Sequence, residues 1–133
     1  MIFNLQPDGP VPIYEQIVAQ VIYAIASGGV EPGTMIPSVR DLAERLVVHP
    51  HTVARAFQEL ERDGVVKAQR GRGMEVTPEA PGACRLRRDE ILRDRLRRAL
   101  REASASGLSE DELRRLVEEE LKNCHRRRPQ EKR

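Results

Sequence analysis

Two short stretches of this chain hold side chains suited to contacting a polyanion. His49-Pro50-His51-Thr52, followed by Arg55 and Gln58, groups hydrogen-bonding side chains so that His51, Thr52, Arg55 and Gln58 share one side of a helix. Arg70-Gly71-Arg72-Gly73 sets two guanidinium groups between glycines, which let a backbone approach a phosphodiester closely. Arg40 lies upstream of both stretches. Imidazole, hydroxyl and amide groups can meet base edges, whereas arginine makes charge-assisted bonds to phosphate or enters a narrow minor groove. Nucleic-acid contact is the chemistry these residue types support. Catalysis has no comparable support. The chain has no glycine-rich phosphate loop, no nucleophile–base arrangement and no metalloprotease spacing. Cys84, Cys124 and the three histidines match no metal-ligand spacing, so neither a metal nor a cofactor is expected.

The elements needed to position these groups can be read from periodicity. Ile13, Ile17, Val21 and Ile25, with Val18 and Ile22 beside them, form the apolar face of a helix of about four turns, which Gly28 and Gly29 end. Pro32-Gly33 turns the chain, and Thr34-Met35-Ile36 is briefly extended. Ser38, three residues before Asp41, opens a short helix through Leu42, Ala43 and Leu46. After a turn at Val47-Val48-His49, Pro50 suits the first position of the next helix. That helix runs to about Asp63, with Val53, Phe57 and Leu60 facing inward and Gly64 as its left-handed stop. Val65 to Ala68 and Met74 to Thr77 are strands joined by the Gln69 to Gly73 loop. Helix, helix–turn–helix and hairpin follow in that order. In a helix–turn–helix, the N-terminal residues of the second helix reach base edges in the major groove, and here these are His49 to Thr52.

Composition narrows the class. Of the 133 residues, 39% are hydrophobic and 33% charged, with two Phe, two Tyr and no Trp. So small an aliphatic core leaves little room for a catalytic cavity. No apolar run reaches the length of a membrane-spanning helix, the first ten residues do not resemble a secretory leader, and two cysteines make no disulfide scaffold. A cytoplasmic protein without a membrane partner is expected. Net charge is only +2, so binding to nucleic acid must depend on where particular charges sit.

Several segments together resemble the winged-helix domain of GntR-family transcriptional regulators. They are Pro12-Ile13-Tyr14-Glu15-Gln16-Ile17, Ile25-Ala26-Ser27-Gly28, Pro32-Gly33, and Ile36-Pro37-Ser38-Val39-Arg40-Asp41-Leu42-Ala43. His51-Thr52-Val53-Ala54-Arg55-Ala56-Phe57-Gln58-Glu59-Leu60, Asp63-Gly64 and Arg70-Gly71-Arg72-Gly73 complete the pattern, which covers residues 10–77 without a gap. The resemblance implies that Arg40 contacts the DNA backbone and that His49, Pro50, His51 and Thr52 read the groove. It also implies that the wing residues Arg70 and Gly71 reach the minor groove, and Arg72, set between glycines in the same loop, is expected to approach the DNA with them. Pro50 and the Ala54-Arg55 pair look most like the YtrA-type subfamily, in which a short helical segment follows the winged domain. His49 and His51 stand where Ser or Asn is usual, so the operator sequence is not carried over. Ala54 replaces an arginine of other branches and shifts weight onto Arg55.

Beyond the hairpin the composition changes. Pro78-Glu79-Ala80-Pro81-Gly82 reads as the core of a linker over residues 78–84, because two prolines and a glycine oppose helix and strand. Residues 85–125 read as two amphipathic helices. Leu92, Leu96, Ala99, Leu100 and Ala103 form one apolar stripe, with Leu86 and Ile91 leading into it, and Leu113, Leu116, Val117 and Leu121 form a second. Ser109-Glu110-Asp111-Glu112 reads as a capping box between them. Two such helices cannot bury their stripes on each other alone, so packing against the first domain or against a second copy is needed to complete a core, and the YtrA-type resemblance implies the second, a homodimer. Its contacts would be made by Leu92, Leu96, Leu100, Leu113, Leu116, Val117 and Leu121. Residues 126–133 read as a basic, disordered tail.

The expected fold is α+β and mostly helical: a winged helix–turn–helix over residues 1–77, then a two-helix dimerisation segment. The expected function is sequence-specific regulation of transcription, most simply repression, by a homodimer on an inverted-repeat operator. The YtrA-type resemblance implies control of a transporter operon. About fifty residues after the wing leave no space for a dedicated effector domain. A winged-helix protein-interaction module without sequence-specific DNA binding is the alternative, and a small RNA-binding module is disfavoured by the lack of exposed aromatics.

Overall fold

The computed structural model describes residues 2–127. Its elements run α1 (Ile13–Ala26), β1 (Met35–Ile36), α2 (Val39–Leu46), α3 (Pro50–Arg62), β2 (Val66–Gln69), β3 (Gly73–Val76), α4 (Ala80–Ala105) and α5 (Glu110–Arg127). Two compact units divide between Ile91 and Leu92, within α4.

In the first unit, the four-residue apolar rhythm of α1 buries Ile17, Val21 and Ile25, with Val18 and Ile22 on the same face. Against them pack Leu42 and Ala43 of α2, Val53, Ala56, Phe57 and Leu60 of α3, and Val65, Val66 and Val76 from the hairpin. The sheet is antiparallel, in the order β1-β3-β2, with Ile36 opposite Met74 and Val66 opposite Val76. The strand β1, only two residues long, is fixed by backbone bonds from Gly33 to Val76 and from Val76 to Thr34. Buried Thr77 locks the far end of the hairpin, where its hydroxyl donates to the Gly64 carbonyl at 2.6 Å.

Residues 4 and 6 are fastened to α1 by two glutamines one turn apart. Gln20 exchanges two bonds with the Asn4 backbone, each 2.8 Å long. Gln16 does the same with Gln6, at 2.7 and 2.9 Å, and also donates to the Val11 carbonyl. Each carboxamide thus acts as a strand neighbour would, satisfying one donor and one acceptor of the extended chain. This arm brings Phe3 and Leu5 against the core.

The segment 78–84 is not a linker: α4 begins at Ala80, and the first unit continues to Ile91. Pro81 and Gly82 both fall in the first helical turn, where proline lacks no intrahelical bond and glycine's cost is smallest. Burial of Ala80 and Cys84 in the core stabilises the turn that the local composition opposes. That burial also pushes the Cys84 thiol up to about 11. From α4, Arg87 places its Nε 3.4 Å from an Asp63 carboxylate oxygen at the end of α3.

In the second unit Gly107, with φ of 101°, ends α4, and the capping box forms as expected. Glu112 N–H donates to the Ser109 hydroxyl at 3.2 Å, while Ser109 N–H donates to the Glu112 carboxylate at 3.0 Å. The basic tail expected over residues 126–133 begins inside α5, which includes Arg126 and Arg127; residues 128–133 lie outside the described residues.

Candidate nucleic-acid interface

The α2–α3 turn is set by two unusual residues. Val47 caps α2 in the left-handed region, with φ of 55°, and its side chain is 89% exposed. Then His49, with an extended backbone, caps α3 through its ring: Nδ1 accepts the His51 N–H at 3.0 Å. Pro50 occupies the first helical position, where its missing N–H leaves no bond unmade. The two imidazoles are nearly parallel, 7° apart, with centroids separated by 5.0 Å.

Along α3 the inward positions Val53, Ala56, Phe57 and Leu60 are buried, so the opposite side is left to His51, Arg55 and Gln58, all exposed, and to half-buried Thr52. Arg55 does not extend freely. Its guanidinium lies 3.8 Å from the centre of the Tyr14 ring on α1. The Tyr14 hydroxyl donates to Glu15 at 3.2 Å. Partial burial first, and that bond second, hold the phenol above its ordinary value.

Arg40 is the second residue of α2 and is exposed. Ser38 caps that helix by accepting the Asp41 N–H at 3.2 Å. At the tip of the hairpin, Arg70, Gly71 and Arg72 are all exposed, and the turn closes through Arg72 N–H to the Gln69 carbonyl at 2.9 Å. Gly71 and Gly73 both take positive φ, at 74° and 101°. At Gly73 a side chain is excluded outright, since a Cβ would stand 2.7 Å from the Ile36 carbonyl oxygen.

The structure therefore brings His49 to His51 and Arg55 to Tyr14. Arg40, Arg70 and Arg72 stand on their own elements and share no hydrogen bond or ion pair with these four. Among the described residues, the ion pairs are Arg87–Asp63, Arg88–Asp89, Arg98–Asp94 and Arg114–Glu110. Arg40, Arg55, Arg70 and Arg72 belong to none of them, and their charge is available to an outside anion. Nothing in the local sequence pattern marks Tyr14 as a residue of this site. It lies more than forty residues from Arg55, and only the packing of α1 on α3 connects the two.

The second unit has no fully buried side chain among its described residues. Leu92, Leu96, Leu116, Val117 and Leu121 are each between 38 and 57% exposed, and Leu100 and Leu113 are half-buried. Leu96, Leu100 and Leu113 line an open groove of about 460 Å³ together with Arg93, Arg97 and Arg101.

A helix–turn–helix followed by a two-stranded wing, with a polar outer face on its second helix and exposed arginines on both helices and the wing, defines a winged helix–turn–helix transcriptional regulator. Residues 13–76 match the bacterial regulatory proteins of the gntR family. The transcriptional repressor YtrA of Bacillus subtilis (strain 168) is 31% identical over 116 residues, covering 87% of this chain and 89% of that protein. The chain belongs to the GntR family and is a transcriptional regulator, not an enzyme. Among solved structures, YtrA from Sulfolobus acidocaldarius, a GntR-family transcription factor, is 34% identical with a TM-score of 0.57, over 75% of this chain and 98% of that one. The AraR DNA-binding domain in complex with operator ORX1 is 25% identical with a TM-score of 0.51, over 56% of this chain and 96% of that one. No helix among the described residues is long and apolar enough to cross a membrane.

Proposed function

We propose that this regulator is a cytoplasmic repressor that binds an inverted-repeat operator as a homodimer. The N-terminal end of α3, His49 to Thr52, would enter the major groove. Arg40 and Arg55 would hold phosphates, and Arg70, Gly71 and Arg72 would reach the adjacent minor groove. The observation that carries this reading is the set of exposed arginines, free of ion pairs, on α2, α3 and the wing, together with the polar outer face of α3. The likeness to the AraR domain solved on its operator supports it, and the likeness to the YtrA repressor supports repression. YtrA-type resemblance further suggests a transporter operon as the target.

The exposed leucine stripe of the second unit supports the dimer, because a second copy would cover apolar area that the unit leaves in water. A two-fold dimer also matches half-sites about one DNA turn, roughly 34 Å, apart. Selection of genomic DNA fragments by the purified protein, with Arg40→Ala in parallel, tests the reading. One inverted-repeat site, enriched by the wild type and lost with Arg40→Ala, is expected. No enrichment by the wild type at low salt would overturn it and favour a winged-helix module that binds a protein.

A further inference from the structure

We infer that the cap of α3 makes His49 a donor-only reader of base edges, and that it selects guanine at one position of each half-site. This inference rests on the operator-binding reading above. His49 Nδ1 accepts the His51 N–H at 3.0 Å, so that nitrogen carries a lone pair and no proton. A neutral imidazole has one N–H, which is therefore on Nε2, at the opposite side of the ring. The ring is exposed, and the His51 imidazole stacks on it at 5.0 Å and 7°. The cap bond and the stack together restrict the ring to one orientation, with a single hydrogen-bonding function left over.

That function can only donate. In the major groove, cytosine presents an amino donor, adenine sets an amino donor beside its N7, and thymine sets a methyl beside its O4. Guanine alone offers two neighbouring acceptors, N7 and O6, and no donor. A fixed Nε2–H is matched by guanine and opposed by the amino groups. Serine and asparagine, usual at this place in the resemblance, both donate and accept and make no such choice. The histidine thus couples the start of the recognition helix to the identity of one base.

The experiment uses the full chain and its selected duplex, with each guanine replaced in turn by 7-deazaguanine. Wild type is compared with His49→Ser, which keeps a capping oxygen but loses the ring. One guanine per half-site is expected at which the replacement weakens the wild type about 3- to 10-fold, as for a single hydrogen bond, and leaves His49→Ser unchanged. If both proteins bind the site tightly and no guanine distinguishes them, the inference fails while operator binding stands. If the wild type selects no site at all, operator binding itself fails. A second readout needs neither DNA nor the variant. Nitrogen NMR of the free protein should show His49 as the Nε2-protonated tautomer; an Nδ1-protonated ring would overturn the inference.

Discussion

The Arg55 guanidinium lies on the face of the Tyr14 ring, 3.8 Å from its centre, and so ties the outer side of α3 to α1. An arginine held flat in this way has lost part of its rotamer freedom before any phosphate arrives, and less ordering remains to be done on binding. The exposed cation–π contact itself contributes only about 0.5–1 kcal/mol. Arg55→Ala should therefore lower stability by about that much. It should also reduce the slope of log affinity against log salt by about one phosphate contact. Tyr14→Phe keeps the ring and should leave both properties near wild type, whereas Tyr14→Ala should reproduce the stability loss and weaken DNA binding. Equal behaviour of the Phe and Ala variants in a salt titration would show that the ring does not position Arg55.

Val47 is the one non-glycine residue with positive φ among the described residues, and a β-branched side chain fits that region poorly. Its side chain is 89% exposed, so its packing can offset little of the strain. Val47→Gly should raise the stability of the first unit by about 1 kcal/mol, seen as a higher midpoint of thermal unfolding. A lower midpoint would mean that Val47 makes a contact the exposure does not reveal.

The wing glycines should differ in what they tolerate. At Gly71 a Cβ meets nothing within 4 Å, so Gly71→Ala suffers only its φ of 74°, about 1–2 kcal/mol. Gly73→Ala adds a 2.7 Å approach to the Ile36 carbonyl, a backbone atom that cannot swing aside. It should separate β1 from β3 and cost more than Gly71→Ala in denaturant unfolding. Equal costs would argue that the sheet edge relaxes freely.

What could be read from the sequence was whatever local spacing encodes. The α1 and α3 faces, the Ser38 cap, the Pro50 start, the Gly64 stop and the Ser109–Glu112 box all lie within one or two helical turns, and each formed. Non-local packing was not legible. Tyr14 meets Arg55 only through the α1–α3 contact, and Ala80 with Cys84 reaches a core assembled from earlier elements. That burial is why a proline-glycine stretch became helix. The His49 cap was illegible for a different reason, since histidine is not a usual capping residue and its bond depends on one ring orientation.

Glu112 gives a pH dependence with a definite sign. The Ser109 backbone N–H first, and its hydroxyl second, hold the carboxyl below its usual range. A group depressed on folding stabilises above its unfolded value, and that contribution is lost as pH falls through the folded value. Glu112→Gln retains an acceptor for the cap but does not titrate. The second unit's helicity should be higher in wild type than in Glu112→Gln at neutral pH, and the gap should close once acid protonates Glu112. A gap that persists unchanged at acid pH, by circular dichroism, would remove the capping carboxylate as its cause.

The leucine stripe of the second unit can be tested without disturbing the first. Leu96 and Leu121 are 57% and 51% exposed and lie outside the core cluster, so a charge at either site removes no contact that holds the winged unit together. In a dimer the same charge would be buried against apolar surface, a position that ionised groups strongly disfavour. Leu96→Glu and Leu121→Glu should therefore yield monomers by light scattering while leaving the unfolding of the winged unit unchanged. Operator affinity should fall by about 100-fold or more, because each half-site must then be found independently. Binding to an isolated half-site should stay the same. A variant that remains dimeric would place the dimer contact outside this stripe; one that is monomeric with full operator affinity would show that the two half-sites are read without coupling.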